Sequence, residues 1–168
     1  MDQQEREKLL AQYREGYAAI VESLKRITPE ELDARPGPGR WTVREIVHHL
    51  ADSEMTAAIR IRRLLAEEKP EIKGYDQDEY ARRLHYDRPH ETSLELFKYV
   101  RESTAELVER MAPADWLREG THSESGRYSG ETWLTIYAAH AHKHARQIRE
   151  ARAAAAPSSR ASTSPADA

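Results

Sequence analysis

Residues 137–148, YAAHAHKHARQI, carry histidines at alternate positions, His140, His142 and His144. Imidazole is the side chain best suited to ligate a metal ion or move a proton near neutral pH. Alternate spacing suits a strand, yet the alanine-rich surroundings favour a helix. A helix turns about 100° per residue, so positions i and i+4 lie about 40° apart while i and i+2 lie on nearly opposite sides. His140 and His144 therefore share the apolar face that carries Trp133, Ile136, Tyr137 and Ile148. His142 turns the other way, towards Arg146 and Arg149 and into water. An H-x3-H pair on a helix can hold one metal ion. It can also be two core histidines that each hydrogen-bond a buried partner. The zincin pattern H-E-x-x-H is excluded, because Ala141 stands where the glutamate is required.

A second histidine pair lies in WTVREIVHHLADSEM. His49 falls between Ile46 and Ser53 on the core-facing stripe. Three imidazoles buried in one small core would each need a hydrogen-bond partner. A shared metal relieves that cost, and three histidines suit zinc, nickel or iron. The metal reading is therefore favoured. His48 lies about 100° around the helix and can meet Asp52 one turn on. These two are candidate proton carriers, or else a surface pair. Glu45 forms a T-x-x-E capping box with Thr42, a simpler reading than a partner that orients a ligand histidine. His122 sits in the turn-rich stretch GTHSESGRYSG, expected to be a loop that covers the site or, more simply, leaves this histidine in solvent. Tyr137 reads as core. His85 and His90 flank a proline loop and indicate nothing specific.

The elements that must position these residues are helices. Leu9, Leu10, Tyr13, Tyr17, Ile20, Val21 and Leu24 recur at helical spacing, which predicts a helix over about 2–26 with Asp2 at its cap. TPEEL predicts a short turn capped by Thr28 with Pro29 at the first helical position. Residues 41–68 form a second long helix, with Ile46, Leu50, Ala57, Ile61 and Leu64 as its stripe. DEYARRLHY is a short helix. Residues 92–111 form a third long helix, started by Thr92 or Ser93, and residues 130–156 a fourth, capped by Ser129. No strand and no internal repeat are expected. Four long helices with short extra turns in the connections give an all-α four-helix bundle.

The composition sets bounds. A chain of 168 residues is expected to form one domain with a real core. The net charge of −3 without a block of one sign argues against a nucleic-acid partner. The absence of cysteine excludes disulfides, thiolate nucleophiles and cysteine-ligated metals. No apolar run approaches a membrane span and the charged start is not a signal peptide, so a cytoplasmic location is expected.

Together, WTVREIVHHLADSEM and YAAHAHKHARQI resemble the DinB-like superfamily, and within it the YfiT-like group named as metal-dependent hydrolases. IKGYDQDEYA and HSESGR also resemble segments of that family, with Gly74 and Ser123 at family prolines, Tyr80 at a tryptophan and Glu54 at a histidine. The resemblance covers nearly all of residues 1–150. It implies a bundle over 1–152 and one divalent metal, zinc or nickel, on His49, His140 and His144; the end of the chain over 153–168, where PSSRASTSPADA lacks any hydrophobic pattern, is expected to be a disordered tail. It implies a small-molecule substrate and a homodimer. Some relatives are thiol transferases that use bacillithiol or mycothiol, so a thiol cosubstrate is a further implication. Either chemistry needs an open metal position, where bound water or thiol loses its proton more easily.

Two rivals remain. A di-iron carboxylate bundle needs two E-x-x-H pairs, and Glu45 to His48 is the one helical instance. A non-catalytic metal sensor or structural metal protein needs a fourth ligand, for which Asp52 or Glu54 would have to move in.

Overall fold

The structure is a computed structural model that describes residues 1–155. Four long helices, α1 (Gln3–Leu24), α3 (Val43–Ala66), α5 (Glu91–Val108) and α6 (Gly130–Ala155), form the bundle. Two short ones, α2 (Pro29–Asp33) and α4 (Gln77–Arg83), lie in the connections. α1 packs on α6, α6 on α3, α3 on α5, and α5 back on α1. None of the described helices is long and apolar enough to cross a membrane. Helix α6 continues through residues 153–155, the start of the segment expected to be a tail, and residues 156–168 lie outside the described residues.

The helix starts follow the capping chemistry of the sequence. Asp2 accepts from the Glu5 amide at 2.8 Å, and Ser129 accepts from the Thr132 amide at 3.2 Å. Thr28 with Glu31, and Thr42 with Glu45, form reciprocal capping boxes. Helix α5 departs from expectation. It begins at Glu91 without a side-chain cap, and Ser93 Oγ instead meets His48 Nδ1 at 2.8 Å.

The core divides into two apolar clusters. One holds Tyr13, Ile61, Trp116, Trp133 and Leu134, the other Ile20, Ile46, Leu50, Phe97 and Ile148. Between them every long helix contributes a small or polar residue: Gly16 from α1, Glu54 from α3, Arg101 from α5 and His140 from α6. Arg101 fills this layer, donating to both Glu54 and the Tyr137 carbonyl. Glu54 is 1% exposed, so it is core rather than the rim of a pocket.

The expectation of no strand is corrected. GTHSESGRYS folds as a hairpin, β2 (Glu119–His122) and β3 (Gly126–Ser129), and β2 also pairs in parallel with β1 (Glu71–Ile72). Gly126 takes a positive φ of 77°, which a reversal this tight requires. Gly120 lies so close to the Pro70 carbonyl that a Cβ would sit 2.2 Å from that oxygen. Strands this short carry too little alternation to be read from one sequence.

Candidate metal centre

Helix α3 supplies His49 and helix α6 supplies His140 and His144, one turn apart. Each ring points its Nε2 towards a common point. His49 Nε2 lies 3.4 Å from His140 Nε2, and His144 Nε2 lies 3.2 Å from the same atom. One ligand atom from each of the three fits within a 4.8 Å group. Ligands about 2.0–2.1 Å from a tetrahedral ion are separated by roughly 3.3–3.4 Å, so the observed edges match such a site.

The protonation states agree. Burial, then the neighbouring His144 and Lys143, pushes His49 down to about 3. Burial pushes His144 down to about 4 although its bond to Gln147 opposes the shift. Burial, then His144 and His49, holds His140 well below the ordinary histidine range. All three rings are neutral at pH 7. Gln147 Oε1 lies 2.9 Å from His144 Nδ1 and accepts its proton. That fixes the tautomer and leaves the Nε2 lone pair aimed inward. Nδ1 of His49 and of His140 is buried without a partner among the described residues. Three lone pairs facing one another would repel, and hydrogen bonds among three neutral rings cannot satisfy them all. A cation at their meeting point removes that conflict, so the donor set fits a divalent ion. Trp41 packs on His49 with ring centroids 4.7 Å apart and shields its outer face.

The other expected site residues are placed elsewhere. His48 is fully buried, and both its nitrogens are committed, to Ser93 Oγ at 2.8 Å and to the Arg88 carbonyl at 3.0 Å. Asp52 accepts from the Tyr86 hydroxyl at 2.6 Å. Neither joins the cluster, and they do not form the surface pair envisaged for them. His142 is half-buried and bonds the Gln12 carbonyl at 2.9 Å, so it faces α1 rather than water. Ile136, expected on the buried stripe, is 45% exposed. His122 is buried, stacks on Tyr128 at 5.5 Å and is not a solvated loop histidine. Glu45 serves the capping box and pairs with Arg35 at 2.7 Å.

Two cavities flank the cluster. One of 210 Å³ touches His49 and His140 and is also lined by Arg60, Tyr75, His122 and Tyr137. The other, of 480 Å³, touches His144 and Trp41, with Lys143 and Arg146 at its edge. Gln77, at the start of α4, lines both. Arg60, Tyr75 and Trp41 were not singled out from the sequence. An arginine or tyrosine beside an apolar stripe gives no signal until the loop that covers it is known.

With this geometry established, comparison with known proteins is informative. Residues 12–148 match the family model of the DinB superfamily. A protein of Oceanobacillus iheyensis named "putative metal-dependent hydrolase" is 40% identical over 119 residues, 71% of this chain and 69% of that protein. A Bacillus mycoides protein of the same name is 29% identical over 133 residues, covering 79% and 77% of the two chains. Among solved structures, YfiT from Bacillus subtilis superposes with a TM-score of 0.84 at 27% identity, covering 90% of this chain and 87% of that one. YfiT is described as a probable metal-dependent hydrolase with an unusual four-helix bundle topology.

Proposed function

The chain belongs to the DinB superfamily, and from that membership we propose a metal-dependent hydrolase acting on a small molecule, its ion held by His49, His140 and His144. The observation that carries this reading is the convergence of three histidine ligand atoms within 4.8 Å, with the Nε2 atoms of His49 and His144 at 3.4 and 3.2 Å from that of His140. Zinc and nickel both suit an all-imidazole donor set. A divalent ion there would supply Lewis acidity, lowering the pKa of a water or thiol that binds it.

The rest belongs to the chain's own residues. Gln147 orients His144 so that its Nε2 presents a lone pair, and Trp41 backs His49. Among the described residues three protein ligands converge, which leaves room for a reacting molecule. The cavities on either side admit small molecules only.

Thiol transfer is the second reading, and the two flanking cavities favour it, because a transfer needs places for two substrates at one centre. With no cysteine in the chain, the thiol has to be a cosubstrate. A cytoplasmic location suits either activity.

The test begins with metal analysis of protein purified without affinity-resin metals, beside His49→Ala. One ion per chain in the wild type and none in the variant is expected. Metal-loaded protein is then given esters, amides and electrophiles, with and without a low-molecular-weight thiol. Turnover without thiol supports hydrolysis, and adducts formed only with thiol support transfer. Metal binding without turnover on the whole panel would favour a non-catalytic metal protein.

A further inference from the structure

Arg60 stands on α3 about three helical turns beyond His49 and on the same face, and both side chains line the 210 Å³ cavity. Its guanidinium donates to the Tyr137 hydroxyl at 3.0 Å and to the Lys73 carbonyl at 2.7 Å. Those bonds use two of its five N–H groups. Its Nε is buried and has no partner among the described residues. The comparison with Arg101 is instructive. Arg101 is fully buried and Glu54 compensates it at 2.6 Å, whereas the half-buried Arg60 enters no ion pair among the described residues.

His122 lines the same cavity. Its Nδ1 accepts from the backbone amides of Glu124 at 3.2 Å and Ser125 at 3.4 Å. That fixes the tautomer with the proton on Nε2, which makes the ring a donor. Burial, then the charge of Arg60, holds its pKa below the ordinary value, so the ring stays neutral. Glu124 is the acid of the cavity, but it is exposed and its carboxylate lies over Gly74 at the rim. Water screens it there. The neutral histidine cluster brings no negative charge, and a divalent ion on it would add positive charge. The cavity is thus rich in donors and positive charge, and among the described residues the one acid lining it is a screened one.

The geometry points to an oxyanion subsite: Arg60 and the Nε2–H of His122 take a carboxylate or phosphate group of the substrate and hold its reacting part against the three-histidine cluster. The substrate class is therefore a small anionic molecule. This rests on the metal-dependent reading for what happens at the cluster, but anion capture depends on Arg60 itself.

The experiment titrates the chain, with and without added divalent metal, with inorganic phosphate in one arm and acetate in another. Binding is read by calorimetry and by the NMR signals of Arg60 Nε–H and His122 Nε2–H. Both signals are expected to shift on saturation, and the arm that binds more tightly distinguishes phosphate from carboxylate. Arg60→Gln is expected to weaken binding roughly tenfold to a hundredfold, in line with loss of a charged hydrogen bond, with metal content per chain unchanged. Arg60→Lys, which keeps the charge but not the planar fork, is expected to fall between the two. Equal anion affinity in Arg60→Gln and wild type overturns the proposal. So does a wild type whose Arg60 and His122 signals ignore both anions, a result that stands even if the variants fail to fold. A wild type that captures the anion but takes up no metal would leave the subsite standing and remove the metal-dependent reading.

Discussion

The Glu54 carboxylate meets the Arg101 guanidinium at 2.6 Å with their side chains 1% and 2% exposed. Tyr13 donates its hydroxyl to the other Glu54 oxygen. Burial pushes the Glu54 carboxyl up, and Arg101 and Tyr13 oppose it. Arg101→Met would strand a carboxylate in the middle of the bundle. The expected loss is about 3–5 kcal/mol of stability, as for other broken buried pairs, measured by urea unfolding. Adding Glu54→Leu should recover most of it. A single variant as stable as wild type would mean the pair contributes nothing.

Alanine at His49, His140 or His144 should each remove tight binding of one metal per chain, read by mass spectrometry of the native protein. His142→Ala should keep the metal. It forfeits the bond to the Gln12 carbonyl, so it should lose about 1 kcal/mol of stability. Metal loss in His142→Ala equal to that in the others would contradict the facing of α6.

Stripping the metal should make stability depend steeply on acidity. His49 is held at about 3 and His144 at about 4, against 6.5 for an ordinary histidine. Between pH 6.5 and about 4 the unfolded chain binds protons that the native chain does not, so stability falls as the pH falls through that window. Two rings displaced this far make the effect several kcal/mol in order of magnitude. Melting temperatures of the metal-free protein between pH 7.5 and 4.5 check it. The slope should flatten in a His49→Ala, His144→Ala double variant.

Gly120→Ala tests whether the small sheet shapes the cavity. The new Cβ would press on the Pro70 carbonyl, which is backbone and cannot step aside. The β1–β2 pairing should loosen and Tyr75, three residues beyond Ile72, should lose its position. Destabilisation of about 1–3 kcal/mol is expected, with metal content intact and Tyr75 amide signals shifted. Loss of metal instead would mean the sheet supports the cluster directly.

Sequence alone carried the bundle and the caps of every long helix but α5, because helical periodicity and capping boxes are local signals. It also brought His49, His140 and His144 together, since two shared a helical face and the third lay on a core stripe. What it missed is non-local. The hairpin finds its third strand in residues 71–72, nearly fifty positions away. Ile136 has the right spacing for burial, but its part of α6 opens on the cavity. The pattern on α6 turns His142 to solvent, because it says nothing of how closely α1 approaches. Nothing in its local pattern marks Arg60, and only the covering Lys73 segment gives it a meaning.

The parallel pairing between β1 and β2 spans just two residues on β1, while His49, His140 and His144 stand on helices that run through both halves of the core. Amide exchange should therefore open the sheet at a lower free energy than α3 or α6. The cavity wall and the ligand frame are then separate cooperative units. If exchange bears this out, the cavity wall would loosen without disturbing the register of the three imidazoles, and entry to the site and retention of an ion would answer to different parts of the fold.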